Sequence, residues 1–356
     1  MLQSRGQRIG VVFSGFTAAP ASGRDLHDLY TGAAPLYTLP SSAILPNRHI
    51  LLSDFEFMKA VQWTVFIDML GFKKLNSSVS TDKQAQDLIE FMTSNRDILT
   101  GHEEALAGVY RRSDGFNPYD WYDVKSAFIS DSIVVTFKPK DVPGEKNPSK
   151  VLMHSANTLM LLVFRLGLMM HKCLLSKKIT FRGGISTEYC DMSDSFAVGS
   201  GLSAANEAEG KAKYARLALA DDVVRNAPLM KQIRQLFKWM YGDSEFLVED
   251  NGITYVNVLD LLLAGGDPSS PSVRNAMVTH SGRSAVIETR KQCESYLTAQ
   301  KALVIESIQE FWALYRMNYS DEALRRGNRG VLKKYFWLRR YHNTTVEKRR
   351  YSGFKI

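Results

Sequence analysis

Apolar residues first fall into an ordered pattern near residue 61. Over VQWTVFID (61–68) they run almost without interruption, as in a buried strand. In DKQAQDLIEFMTSNRDIL (82–99), Ala85, Leu88, Ile89 and Met92 recur at helical spacing. YDVKSAFI (122–129) and SIVVTF (132–137) read as two strands meeting at a tight junction, Ser130-Asp131. Pro148 opens a helix that runs to about Leu175, and KITFRGGIS (178–186) returns to strand. The order β-α-β-β-α-β predicts an α/β (α+β) fold with a ferredoxin-like, split-βαβ core. Extra strands are expected at 195–199, at 214–220, and on both sides of the Asn251-Gly252 turn (SEFLVED and ITYVNVL), with a helix from about 202 to 212. The chain is mainly helical beyond Gly266. Three regions result: an irregular, Gly/Ser/Pro-rich extension over 1–57, an α/β domain over 58–265, and a helical extension over 266–356.

This topology says where chemistry should gather. The first and third strands of a split-βαβ sheet lie side by side, so Asp68 and Asp131 should converge at one edge. Paired carboxylates suit two Mg²⁺ or Mn²⁺ ions, which in turn bridge triphosphate oxygens. Leu70-Gly71-Phe72 follows Asp68, and backbone N–H groups in such a turn hold phosphate. Arg182, on a neighbouring strand before Gly183-Gly184, offers a guanidinium fork to the same anion. Taken singly, a strand-end Asp before Gly is commonly a turn residue, and an isolated Arg commonly a surface ion pair. Their convergence is what favours a functional reading.

Charge alters the picture at one end only. Residues 324–356 carry eleven Lys and Arg against one acid, Glu347, so the remainder is close to neutral although the chain totals +8. Aromatic residues interleave with these charges from Tyr335 to Tyr341. A basic tail suggests nucleic-acid or acidic-lipid binding, but this interleaving is as easily a docked amphipathic helix with a solvated basic face, and no nucleic-acid partner is expected. The three cysteines, Cys173, Cys190 and Cys293, match no zinc spacing and are expected as free thiols. Arg5 and Arg8 before IGVVFSGFTAA imitate a secretory signal, but Ser14, Gly15 and Thr17 interrupt the apolar run. Val151–Met170 is long enough to span a bilayer, but Ser155, Asn157 and Arg165 would be costly in lipid. A cytoplasmic protein without stable membrane association is expected, and Met58, just before the first strand, is a candidate start of translation.

FIDMLGFKKL (66–75), SDSIVV (130–135) and RGGIS (182–186) together resemble the catalytic core of class III nucleotidyl cyclases. The likeness is nearest to the bacterial Pycsar cyclases, which make cyclic UMP or cyclic CMP as an antiphage signal. GSGLSAANEAEGKAKYARLALA (199–220) and KYFWLRRYHN (334–343) resemble later parts of that family, so the likeness spans roughly 61–343. The resemblance implies metal ligation by Asp68, Asp131 and the Met69 carbonyl. It implies phosphate contacts from the Leu70, Gly71 and Phe72 backbone and from Arg182. It also implies a homodimer with active sites at the interface. The usual Gly before the second aspartate is Ser130 here. The usual transition-state Asn and Arg fall on Ser203 and Glu207, with Asn206 or Lys211 as substitutes. The purine-selecting Lys has no counterpart, because Lys125 lies too far from Asp131. These departures favour a pyrimidine substrate over a purine, and the resemblance puts UTP before CTP. Tyr110, Trp121, Tyr122 and Lys125, before or on the second predicted strand, are candidates for the base-pocket wall, and each could as well be ordinary core or surface.

Two other readings compete. Gly199-Ser-Gly201 opening a helix, with Asp221 some twenty residues on, imitates a Rossmann dinucleotide fingerprint. It leaves Asp68, Asp131 and Arg182 without a role. A non-catalytic nucleotide-sensing module on the same fold would account for the missing Asn and Arg.

Overall fold

Trp63–Leu70 (β1) is the strand on which the architecture is hung. It pairs antiparallel with Ser132–Pro139 (β3) on one side and with Thr180–Ser186 (β4) on the other. The computed structural model describes residues 60–100, 118–129, 131–140, 148–193, 196–242 and 245–356. The extension over 1–57, Met58, Tyr110 and Ser130 lie outside these residues. Tyr122–Ile129 (β2) closes one edge against β3, giving the order β2-β3-β1-β4 of the split-βαβ core. Leu217–Leu219 (β7) then adds parallel to β4. The hairpin of Leu247–Asp250 (β8) and Ile253–Val256 (β9), turning at Asn251-Gly252, completes seven strands in the order β2-β3-β1-β4-β7-β9-β8.

Alternation along β1 divides the core in two. Trp63, Val65, Ile67 and Met69 face one side, where they meet Asp82–Thr100 (α2), Pro148–Lys177 (α4) and Ala227–Tyr241 (α7). The apolar helix α4 is long enough to cross a membrane, but here Ala156, Leu159, Leu162, Val163 and Leu166 are fully buried under the sheet. The other face is covered by Ser200–Ala212 (α5) and a small ribbon of Asp191–Met192 (β5) with Ala197–Val198 (β6). The strand expected at 195–199 is thus two residues long and outside the main sheet. The one expected at 214–220 is cut to three, because Tyr214–Arg216 form a tight turn off α5. The sequence reading passed over Phe72–Ser77 (α1), Pro118–Trp121 (α3), Asp221–Arg225 (α6) and α7.

Beyond β9 come Val258–Ala264 (α8), Pro271–Ala276 (α9), and two long helices, His280–Met317 (α10) and Glu322–Lys348 (α11). The basic helix α11 docks as its spacing predicts, burying Leu332, Trp337, Leu338, His342 and Val346 while Arg326, Lys333, Arg339 and Arg340 face solvent. Trp337 stacks on Tyr214 at 4.9 Å and donates its indole N–H to Asp250. Arg349 fixes the far end through a bidentate pair with the fully buried Asp260, at 2.6 and 2.7 Å. The three cysteines are free and buried.

Candidate active site

Pairing register brings the predicted residues together. Asp68 lies opposite Ser132 of β3 and opposite Arg182 of β4. The next residue, Met69, donates its backbone N–H to the Asp131 carbonyl at 2.9 Å, which fixes Asp131 beside the end of β1. The Met69 side chain is buried in the core, so only its backbone belongs to this edge. Gly71 then turns the chain with φ of 100°, a conformation costly for any other residue, and caps α1. Phe72 points inward, so Leu70, Gly71 and Phe72 can offer an anion only their main chain.

Arg182 lies on the sheet face that carries α5. Its Nη2 donates to Asp68 Oδ2 at 2.9 Å, and its Nε pairs with Glu209 of α5. Gly184 makes this possible. A Cβ there would sit 1.9 Å from the Ala205 carbonyl oxygen, so α5 can rest on β4 only because position 184 has no side chain. One turn beyond Ala205, the helix delivers Glu209 to the guanidinium. Burial pushes the Glu209 carboxyl up from the ordinary range; Arg182 opposes this, and the Asp68 charge adds to it. Lys334 of α11 also faces Glu209 electrostatically, so the C-terminal extension reaches this neighbourhood. Lys74 of α1 meets Glu310 of α10 at 3.4 Å, a second bridge between the two parts.

Other candidates lie elsewhere. Tyr122 is 1% exposed in the core, its hydroxyl on Ser155 of α4, and burial pushes its pKa up to about 12. It lines no pocket for a base. Trp121 packs on His154 at 4.2 Å. Lys125 donates to the Met192 carbonyl on the β5–β6 ribbon at 2.8 Å. Ser203, Asn206, Glu207 and Lys211 are exposed on the outer face of α5, and Lys211 is paired with Glu207 at 2.8 Å. The Gly199-Ser-Gly201 run does not follow a strand of a doubly wound parallel sheet, as a dinucleotide site requires; β6 belongs to the separate antiparallel ribbon. Sequence reasoning missed Glu209, although it falls in register with Gly201, Ala205, Ala208 and Ala212 on the buried stripe of α5.

No protein-family model and no curated protein matches the chain. Among solved structures it is similar to the adenylyl cyclase CyaB from P. aeruginosa, at 15% identity and a TM-score of 0.32 over 55% of this chain and 93% of that one. It is also similar to the catalytic core of a rhodopsin-guanylyl cyclase with converted specificity in complex with ATPαS, at 17% identity and 0.30 over 55% and 94%. A bacterial light-regulated adenylyl cyclase matches at 12% identity and 0.29 over 65% and 57%. Scores this low add nothing to the register and topology above.

The donor set at this edge is two carboxylates and a main-chain carbonyl. Arg182 leaves Asp68 Oδ1 without a partner among the described residues, and the Asp131 carboxylate is likewise unpaired. No cluster of three or more His, Cys, Asp or Glu suited to a metal occurs among the described residues. Two hard carboxylates with open neighbouring positions fit Mg²⁺ or Mn²⁺, which are commonly held by one or two carboxylates plus water and substrate phosphates.

Proposed function

We propose that the protein is a metal-dependent nucleotidyl cyclase. It converts a pyrimidine nucleoside triphosphate, UTP in preference to CTP, into the 3′,5′-cyclic monophosphate and pyrophosphate. The observation that carries this reading is the meeting of Asp68 and Asp131 across the β1–β3 register, with Arg182 beside them. In the reaction the ribose 3′-oxygen loses its proton and attacks the α-phosphorus, and the bond to the bridging oxygen of pyrophosphate breaks in line. Two divalent ions, when bound, lower the pKa of the 3′-hydroxyl and offset triphosphate charge. Asp68 and Asp131 hold the charge that retains them. Arg182 directs its remaining N–H donors at phosphate oxygens, and the Gly71 turn offers backbone N–H groups.

Resemblance supports a homodimer, and two surfaces are consistent with one. The outer face of α5 presents Ser203, Asn206 and Glu207 to solvent, where a second copy would meet a composite site. Tyr189, Phe196 and Val198 are exposed around the β5–β6 ribbon as an apolar face. The pyrimidine preference and the antiphage second-messenger role rest on the motifs alone.

Incubation of the pure protein with Mn²⁺ and each of the four nucleoside triphosphates, with products resolved by mass spectrometry, tests the reading. Cyclic UMP is expected. Cyclic CMP replaces UTP by CTP, and a cyclic purine nucleotide overturns the pyrimidine preference while the chemistry stands. Asp68→Ala and Asp131→Ala should each abolish product in a folded protein, and full turnover in either defeats the assignment. Mixing Asp68→Ala subunits with subunits damaged on the outer face of α5 should restore activity if the site is shared. Phage plating on cells expressing wild type or Asp68→Ala tests the defence role.

One observation favours a second reading, a non-catalytic nucleotide-sensing module. The outer face of α5 carries no unpaired cation at the positions where a transition-state Arg would stand, since Lys211 is bound to Glu207. Such a module would bind triphosphate in calorimetry and release no pyrophosphate.

A further inference from the structure

The proposed reaction gives Glu209 no role, yet it is a carboxylate only 6% exposed in contact with the site's arginine. A buried charge on a helix of small residues is costly unless it is paired. Among the described residues Glu209 has one ion-pair partner, Arg182. Nε and Nη2 form the side edge of a guanidinium. Nε is ion-paired with Glu209 and Nη2 is hydrogen-bonded to Asp68, so a carboxylate stands at both ends of this edge. Nη1, which carries two N–H donors, has no partner among the described residues. The Arg182 side chain is 21% exposed, so these donors are within reach of a ligand.

We propose that Glu209 is the positioning residue of the site: it holds the Nε end of Arg182 so that Nη1 is presented to the phosphate oxygens of a nucleotide. Arginine loses considerable rotamer entropy when ordered, and a fork tethered before the ligand arrives has already met that cost. Asp68 alone is a poor tether, because a metal drawn to its carboxylate weakens its hold on Nη2. The Glu209 contact is made at Nε and not at Nη2, so it does not depend on the carboxylate that would hold the metal. Gly184 is part of the device, since the seat of α5 on β4 sets the reach of Glu209. The inference rests on the cyclase reading only in naming the phosphate as that of a nucleoside triphosphate.

The test is a double-mutant cycle on the full chain, read first by binding. Calorimetry with inorganic tripolyphosphate and Mn²⁺ compares wild type, Arg182→Ala, Glu209→Gln and the double variant. Each single substitution should weaken tripolyphosphate by about tenfold, and the double variant should bind no more weakly than Arg182→Ala alone. Turnover should show KM for the triphosphate raised by a similar factor, with kcat within about threefold. Glu209→Asp keeps the charge and withdraws it by one methylene; it should weaken binding in the same direction and serves if Glu209→Gln does not fold. Wild-type affinity in Glu209→Gln, or effects that add in the double variant, overturn the proposal by making Glu209 merely structural. Coupled binding without cyclic product in the wild type defeats the cyclase reading and leaves this one standing. Product formation with uncoupled binding does the reverse.

Discussion

Two arginines in this molecule each lie between two carboxylates, and they are opposite in kind. Arg349 is 5% exposed; its Nε and Nη2 form a fork on Asp260, and its Nη1 lies 3.5 Å from Asp267. Every guanidinium nitrogen faces an oxygen and nothing remains to bind. Among the described residues Arg182 has Nη1 unused, and its partner Asp68 has one carboxylate oxygen unused. The first cluster is saturated and closed, and it joins the C-terminal helices to α8. The second is half-open at a sheet edge and has bonding capacity to spare. An ion pair therefore marks a site when its donors and acceptors exceed its contacts. Burial alone marks architecture.

Substitution in each cluster should separate the two roles. The largest effect is expected from Asp260→Ala, which leaves buried Arg349 with only the longer Asp267 contact and should cost about 3–5 kcal/mol. Urea unfolding should show it, with the rate of the proposed reaction per folded molecule unchanged. Asp131→Asn should do the opposite, lowering turnover by ~10³-fold with an unaltered unfolding midpoint. A midpoint shift as large as that of Asp260→Ala would erase the distinction.

Gly184→Ala tests the connection between core and site. Its Cβ meets backbone, so α5 must move, and a loss of about 1–3 kcal/mol with a raised KM is expected. Acid should act on the closed side. Burial pushes His171 of α4 down to about 4 where it packs against Tyr296 of α10, and His342 of α11 is lowered by burial as well. An unfolded histidine titrates near 6.5, so between these values the unfolded chain takes up the extra proton. Stability should therefore hold above 6.5 and fall towards pH 4, by up to about 1.4 kcal/mol per unit from His171. Melting curves across that range check it, and His171→Gln should flatten them. Gly71→Ala is expected to be smallest, about 1 kcal/mol, because a Cβ there meets nothing within 4 Å and the cost lies in the backbone alone.

Much of this was legible in the chain. Strand β2 matches its predicted span, and α2 and α4 begin where expected and end within about two residues. Their signals are local: apolar alternation, helical spacing and Pro148. The convergence of Asp68, Asp131 and Arg182 was legible because it follows from strand order. Helix α7 was equally open to reading and was passed over: Leu229, Met230, Ile233, Leu236, Phe237 and Met240 keep strict spacing after the Asn226 cap. The short pairing of β5 with β6 was not legible, since two residues carry no period. Tyr122 could be read as pocket wall or as ordinary core, because an aromatic on a strand shows its chemistry and not the face it lies on; the structure places it in the core. Glu209 was hidden by its neighbours, as an acid in a polar helix reads as solvated until the seat of that helix on Gly184 is known.

The pair between Asp260 and Arg349 joins residues 89 apart along the chain. On a ribosome adding about 5–20 residues each second, the partner of Asp260 is made roughly 5–20 s after Asp260 itself. Through that interval a carboxylate that ends fully buried has no counter-charge. A stop codon or proteolytic cut anywhere before Arg349 makes that pause permanent. A chain that stops short of Arg349 keeps the Asp260 carboxylate without this partner, and such a chain is expected to be less stable than the full one.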